Sequence, residues 1–238
     1  GYFAAFGSFA PTQGRRFIQR QTGGGLSRSF SKELAQGLAQ LGLALTETQQ
    51  TQLLDYLDLL QKWSQVYNLT ALRQPDQILS HHLLDCLATV PDIQRRYPAA
   101  CEVLDVGSGA GLPALVYAVV SPEWRITALD AVAKKMAFVQ NAANTLGLTN
   151  LVTQHARVER LVGQYDLITC RAYSTLADFV TQTKHLLKPG GRWAALKGKL
   201  PAQELAALPP AVFTEGVQNL AVPGLEGERC LVWLSARA

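Results

Sequence analysis

Several kinds of protein are excluded by what this chain lacks. Its four cysteines, Cys86, Cys101, Cys170 and Cys230, are far apart and form no Cys-x-x-Cys pair. Neither a zinc ligand set nor a dithiol couple is therefore expected, and no metal is assigned. Reduced thiols in the cytoplasm are the expected state. No apolar run approaches the ~18 residues that would span a bilayer, so no membrane partner is expected. Residues 1–30 have no acid; they carry Arg15, Arg16, Arg20 and Arg28. Setting those four aside from the 22 lysines and arginines leaves 18 against 18 acids in residues 31–238. The net charge of +4 thus belongs to the leading segment. A body with no net charge can recognise nucleic acid only through a local patch.

Of the 238 residues, 48% are apolar and 17% charged, enough to bury a sizeable core. Residues 1–30, rich in Gly, Ser and Arg, read as a disordered basic extension; a transit segment or an RNA-binding arm would share that composition. Residues 31–98 read as a helical cap. Leu34, Leu38, Leu41 and Leu45 recur at helical spacing, as do Leu53, Leu54, Leu57, Leu60 and Trp63. Thr46 and Gln49 suit a capping box. A break at 68–70 precedes a third helix over 78–90, closed by Pro91.

From residue 101 strands alternate with helices. Strands are expected over 101–106, 124–129, 151–155, 165–170, 192–196, 217–222 and 230–234. Helices are expected over 112–120, with Pro113 in its first turn, and over 133–146 and 176–187. Such alternation implies a parallel sheet covered on both faces. The last two strands have no long crossover between them and can pair only as an antiparallel hairpin. The fold expected is α/β: a Rossmann-like seven-stranded methyltransferase sheet, mostly parallel with an antiparallel last hairpin. Residues 99–238 would form the catalytic domain, which binds the cofactor.

The chemistry points to the turn Gly107-Ser108-Gly109-Ala110-Gly111, which follows a strand and opens a helix. Glycines there permit a tight turn and close approach of a ligand to the backbone. The spacing is G-x-G-x-G, not the G-x-G-x-x-G of pyrophosphate binders. The loop has no Lys, and Asp105 stands at its start. That suits the sulfonium cation of S-adenosylmethionine, the cofactor expected, better than a phosphate. Asp130 ends the next strand, nineteen positions beyond Gly111. It suits an acceptor for ribose hydroxyls, and equally an N-cap of the following helix.

The fourth strand ends in Cys170-Arg171-Ala172-Tyr173-Ser174. This lacks the Asn/Asp-Pro-Pro-aromatic loop common in exocyclic-amine transfer and the Pro-Cys of pyrimidine carbon-5 transfer. Guanine N7 needs neither device, because it carries a lone pair and no proton. Catalysis then reduces to in-line placement in a dry site, without a general base. Arg171 suits a hydrogen bond to guanine O6 or to the cofactor, and equally an ion pair or a phosphate contact.

Several motifs come in a fixed order: Lys62-Trp63 to Tyr67-Asn68-Leu69-Thr70, His82-Leu83-Leu84-Asp85, Leu104 through Pro113, Cys170-Arg171-Ala172-Tyr173, Leu196-Lys197-Gly198 and Gly227-Glu228-Arg229. Together they resemble the glucose-inhibited division protein B family, bacterial methyltransferases of guanine N7 in small-subunit (16S) ribosomal RNA. The resemblance covers about residues 34–236. It implies cofactor contacts at Gly107, Leu112, Val158, Glu159 and Arg171, with Asp130 at the ribose position; Asp105, Gly109 and Gly111 complete the loop. It places His82, Asp85 and Lys197 around the site as substrate-positioning candidates, although His82 and Asp85, three apart on a helix, equally suit a pair with each other. It implies 16S ribosomal RNA or the small ribosomal subunit as partner, and a monomer is expected. The chain departs from the family pattern at His81, Cys86 and Cys230. Because N7 faces a groove too deep and narrow to read in A-form RNA, the target guanine must be splayed out or in a loop. The alternative reading is a methyltransferase of a small molecule or a protein.

Overall fold

The computed structural model describes residues 26–67 and 75–237. The break expected at 68–70 and most of the 1–30 segment lie outside the described residues. Helix α1 spans Leu26–Gln40 and α2 spans Glu47–Tyr67. Thr46 and Gln49 close the expected capping box: the Gln49 N–H donates to Thr46 Oγ1 at 3.2 Å, and the Thr46 N–H donates to Gln49 Oε1 at 3.0 Å. The single third helix of the expectation is several pieces. Helix α3 (Pro75–Ile78) runs into a π-helical turn, Leu79–Leu84, then α4 (Asp85–Leu87) and α5 (Val90–Arg96). Pro91 does not close a helix but sits in the first turn of α5, where its missing N–H costs nothing.

Among the described residues seven strands form one sheet in the order β3-β2-β1-β4-β5-β7-β6. They are β1 (Glu102–Val106), β2 (Arg125–Asp130), β3 (Leu151–His155), β4 (Tyr165–Arg171), β5 (Leu187–Lys197), β6 (Val212–Asn219) and β7 (Cys230–Ala236). β1 to β5 are parallel, and β7 pairs antiparallel with both β5 and β6. The expected sheet is therefore the observed one. β6 begins at Val212 rather than near 217, as an edge strand with mostly exposed or half-buried side chains and a register shift between Thr214 and Gly216. Its alternation is too weak to read.

The chain reversal from β1 to β4 sets the ligand edge, because strand order changes direction at β1. Helix α6 spans Ala114–Val120 and α7 spans Ala133–Leu146. Pro113 caps α6 rather than lying inside it, because the Gly111 and Leu112 N–H groups both turn back to the Ser108 carbonyl at 2.8 and 3.0 Å. On one face of the sheet α6 and α7 share a core with Leu34, Leu53, Leu57 and Leu60 of the leading helices. The Tyr56 hydroxyl of α2 donates to the Ala110 carbonyl at 2.9 Å, so α2 is tied directly to the glycine loop. On the other face α8 (Leu176–Thr183) packs Phe179 and Val180 beside Ile168, Trp193 and Val232. Helix α9 is short, Ala202–Ala206.

Candidate active site

The loop after β1 is built on backbone geometry that glycine supplies. Gly107, Gly109 and Gly111 have φ of 67°, 60° and 92°. The Ser108 N–H donates to the Leu129 carbonyl at 2.9 Å, pinning the loop to β2. Asp130 joins loop and helix: Oδ2 accepts from the Gly109 N–H at 3.0 Å and Oδ1 from the Val132 N–H at 2.9 Å. The N-cap of α7 is Val132, so Asp130 is not that cap.

Asp105 lies fully buried beneath the loop. Its carboxylate accepts from Ser108 Oγ at 2.6 Å, the Ala114 N–H at 3.2 Å and Thr169 Oγ1 at 3.3 Å. It therefore shapes the loop from inside the fold and is not among the residues that line the cleft above the loop. Burial pushes its carboxyl up to about 6, against those three hydrogen bonds. Because this pKa exceeds the unfolded value, the stabilising protonated form is fully present below about pH 4 and is lost as pH rises through about 6. His82 acts in the opposite sense, since burial and the Arg171 charge depress it to about 4. The Asp105 effect is isolated by Asp105→Asn, which keeps an acceptor and cannot ionise. Its stability relative to wild type is expected to climb between pH 4 and 7, by on the order of 3 kcal/mol. Urea melts across that range test this; a pH-independent difference would refute it.

A cleft of about 400 Å³ opens at the carboxyl ends of β1, β2 and β4. Gly107, Asp130, Val158, Glu159, Ala172 and Tyr173 are among the residues that line it. It offers two carboxylates, exposed loop backbone and apolar walls at Val106, Leu129 and Tyr173. That donor set fits a nucleoside carrying a positive sulfonium. Lys135 also lines the cleft, but its ammonium lies 3.8 Å from Asp130 Oδ2.

The β4 end divides the site. Ala172 has φ of 51°, a left-handed conformation costly for a residue with a Cβ. The turn sends Arg171 and Tyr173 to opposite sides. Tyr173 lies in the cleft against Gly107, and its hydroxyl donates to Gln182 Oε1 at 2.6 Å. Arg171 turns toward the π-helical turn, where Nη1 donates to the His81 carbonyl at 3.0 Å and to Asp85 Oδ2 at 3.3 Å. Arg229, immediately before β7, donates from Nε to Asp85 Oδ1 at 3.0 Å. Asp85 therefore pairs with two arginines, not with His82. His82 is buried, and its ring nitrogens have no hydrogen-bond partner among the described residues. A π-helical turn is uncommon and frequently marks a functional site.

Of the residues singled out from sequence, Gly107, Asp130, Val158 and Glu159 meet at the cleft. Gly109 contributes its N–H to Asp130; Gly111 and Leu112 pack behind, where a Cβ on Gly111 would lie 3.1 Å from Val139. His82, Asp85 and Arg171 gather beside the cleft. Lys197 is held apart, donating to the Ser174 carbonyl and to Glu204 Oε2, each at 2.8 Å. Glu204 Oε2 also accepts the Leu176 N–H at 2.8 Å, so Lys197 braces the segment following Tyr173. Tyr173 and Arg229 were missed as site residues. The signal for each was a neighbour: an aromatic two residues beyond a β4-end arginine, and a basic residue just before β7. The departures Cys86 and Cys230 are buried, as is Cys170. Burial pushes the Cys86 thiol up to about 12 and Cys170 higher still, so neither is a thiolate nucleophile.

The family model for rRNA small subunit methyltransferase G matches residues 49–232. The chain belongs to the GidB family. A relative from Acidovorax sp. (strain JS42), "Ribosomal RNA small subunit methyltransferase G", is 52% identical over 216 residues, covering 87% of this chain and 95% of its own. A relative of the same name from Methylibium petroleiphilum is 49% identical over 210 residues, covering 86% and 95%. TrmN from Thermus thermophilus superposes with a TM-score of 0.51 at 25% identity, over 63% of this chain and 48% of that one. The glycopeptide N-methyltransferase MtfA, in complex with S-adenosyl-L-methionine, gives 0.54 at 11% identity, over 65% and 95%, a likeness of fold alone. This GidB family member is a methyltransferase, and S-adenosylmethionine is its methyl donor. Among the described residues no cluster of His, Cys, Asp and Glu could hold a metal ion, and no helix is long and apolar enough to cross a membrane.

Proposed function

We propose that the protein transfers the methyl group of S-adenosylmethionine to N7 of a guanine in 16S ribosomal RNA. The observation that carries this reading is the 52% identity, over 95% of its length, to a relative named as a ribosomal RNA small subunit methyltransferase. The cofactor supplies an electrophilic methyl on a sulfonium sulfur. In this reading Asp130 accepts from the ribose hydroxyls, Glu159 and Val158 face the adenine, and Gly107 lets the cofactor lie against backbone. Arg171, Asp85 and His82 stand on the side of the guanine, and Lys197 holds the segment after Tyr173. No residue needs to remove a proton, because N7 has a free lone pair; the residues orient the base in line and exclude water. Residues 31–98 serve as a cap over the catalytic body of 99–238, working as a monomer in the cytoplasm.

The test is transfer of a labelled methyl group to small ribosomal subunits lacking the modification, followed by nucleoside mass spectrometry. Formation of 7-methylguanosine is the expected result. No transfer to subunits or extracted RNA, with cofactor binding intact, would overturn the reading in favour of a small-molecule or protein substrate.

A further inference from the structure

The cluster beside the cleft sets two arginines against one carboxylate. Asp85, with a side chain only 5% exposed, is shared by Arg171 at 3.3 Å and Arg229 at 3.0 Å. Of the other titratable groups packed there, Cys86 and Tyr56 are buried with their ionisation pushed far up and His82 is held neutral; the Asp105 carboxyl also feels Arg171, but its hydrogen bonds go to Ser108, Ala114 and Thr169 beneath the loop. Lys197, the next cation along this edge, is neutralised by Glu204. Glu226 and Glu228 on the approach to β7 are exposed, and the ion pair of Arg229 is with Asp85. Two guanidiniums therefore share the one carboxylate that contacts them, and their side chains are 23% and 25% exposed.

The bonds named use only part of the five N–H donors of each guanidinium. The Arg229 Nε is fixed by Asp85 and its Nη1 by the Glu228 carbonyl at 2.8 Å, so the fork is pre-oriented. The cluster lies off the carboxyl ends of β4 and β5, since Arg171 ends β4 and Cys230, beside Arg229, pairs with Lys197 at the end of β5. Ligands of open α/β sheets bind outside that edge. A partly open, pre-oriented guanidinium that shares its carboxylate with a second one matches an anionic oxygen group.

We propose that Arg229 is a phosphate-binding residue, taking a backbone phosphate of the RNA next to the target guanine, while Asp85 holds it in place. The proposal rests on the RNA reading above. An anionic oxygen group also occurs in the cofactor, as its carboxylate, and the experiment separates the two sources. Binding of the unmodified 16S RNA to wild type and to Arg229→Gln is measured over a range of KCl concentrations, and S-adenosylhomocysteine affinity by calorimetry. Arg229→Gln leaves Arg171 and Asp85 as a balanced pair, so it should melt within a few degrees of wild type. Expected is weaker RNA binding with a salt slope smaller by about 1 and an unchanged S-adenosylhomocysteine affinity. Arg229→Lys should keep most of the slope. An unchanged slope, or a loss confined to S-adenosylhomocysteine, would overturn the proposal. Failure of wild type to bind or methylate this RNA would instead strike the RNA reading itself.

Discussion

Replacing Gly107 by Ala should weaken S-adenosylhomocysteine binding about a hundredfold. Two independent costs combine. At φ of 67° a Cβ carries the left-handed penalty, ~1–2 kcal/mol. That Cβ would also stand 2.5 Å from Cδ2 of Tyr173, closer than real contacts allow. Tyr173 cannot yield freely, because its hydroxyl is bonded to Gln182 and its ring meets Phe179 edge-on at 6.3 Å. Displacing it costs ~1–3 kcal/mol and pushes the ring into the cleft that must receive the ligand. The free protein relieves these costs by shifting the loop and Tyr173, the ligand must reverse that shift, and a total near 3 kcal/mol then corresponds to about two decades in affinity. Adding Tyr173→Ala should recover the steric part and leave the backbone part, so the double variant should bind better than Gly107→Ala. Calorimetry with S-adenosylhomocysteine reads both. Unchanged affinity in Gly107→Ala would remove this loop from the cofactor site.

Asp85→Ala should be the most destabilising of the polar substitutions considered. It leaves Arg171 and Arg229 facing each other without the carboxylate that both contact. Removing one partner from a buried ion pair costs ~3–5 kcal/mol, because the remaining charge is stranded. For a chain of this size that lowers the melting temperature by roughly 10 °C. Combining Asp85→Ala with Arg229→Gln removes one of the stranded cations, so the double variant should melt above Asp85→Ala alone. Additive losses in this cycle would show that the arginines do not repel each other and would undo the charge account.

The contrast between these sites explains what was legible in the sequence. The parallel sheet, the glycine loop and Asp130 were readable because each depends on a local pattern: a short apolar run such as 103–106, a turn that only glycine permits, an acid at a strand end. Lys197 and Asp105 were placed near the site, but their partners within the protein were not legible. Their side chains satisfy Glu204 and Ser108 inside the protein, and a spacing rule reports that a residue is near a site, not which way it faces. Arg229 acquires its meaning from Asp85, 144 positions earlier, which no window along the chain contains. The π-helical turn at Leu79–Leu84 was hidden for a related reason. Its apolar spacing fits an ordinary helix, and only the folded chain, in which the His81 carbonyl takes a hydrogen bond from Arg171 of β4, reveals the wider turn. Pro91 was misplaced because one residue type both ends a helix and begins the next.

The left-handed Ala172 bears on how this chain can drift over generations. Glycine and asparagine adopt that backbone most readily and alanine does so at a cost; for the β-branched valine, isoleucine and threonine it is a far greater strain. A single base change converts an alanine codon to valine or threonine. Such a change would swing Arg171 and Tyr173 out of their opposed directions while leaving both residues intact. Inheritance of the site therefore depends on a residue that takes part in none of its chemistry, and lineages that lose the activity can do so here with the reactive groups unaltered.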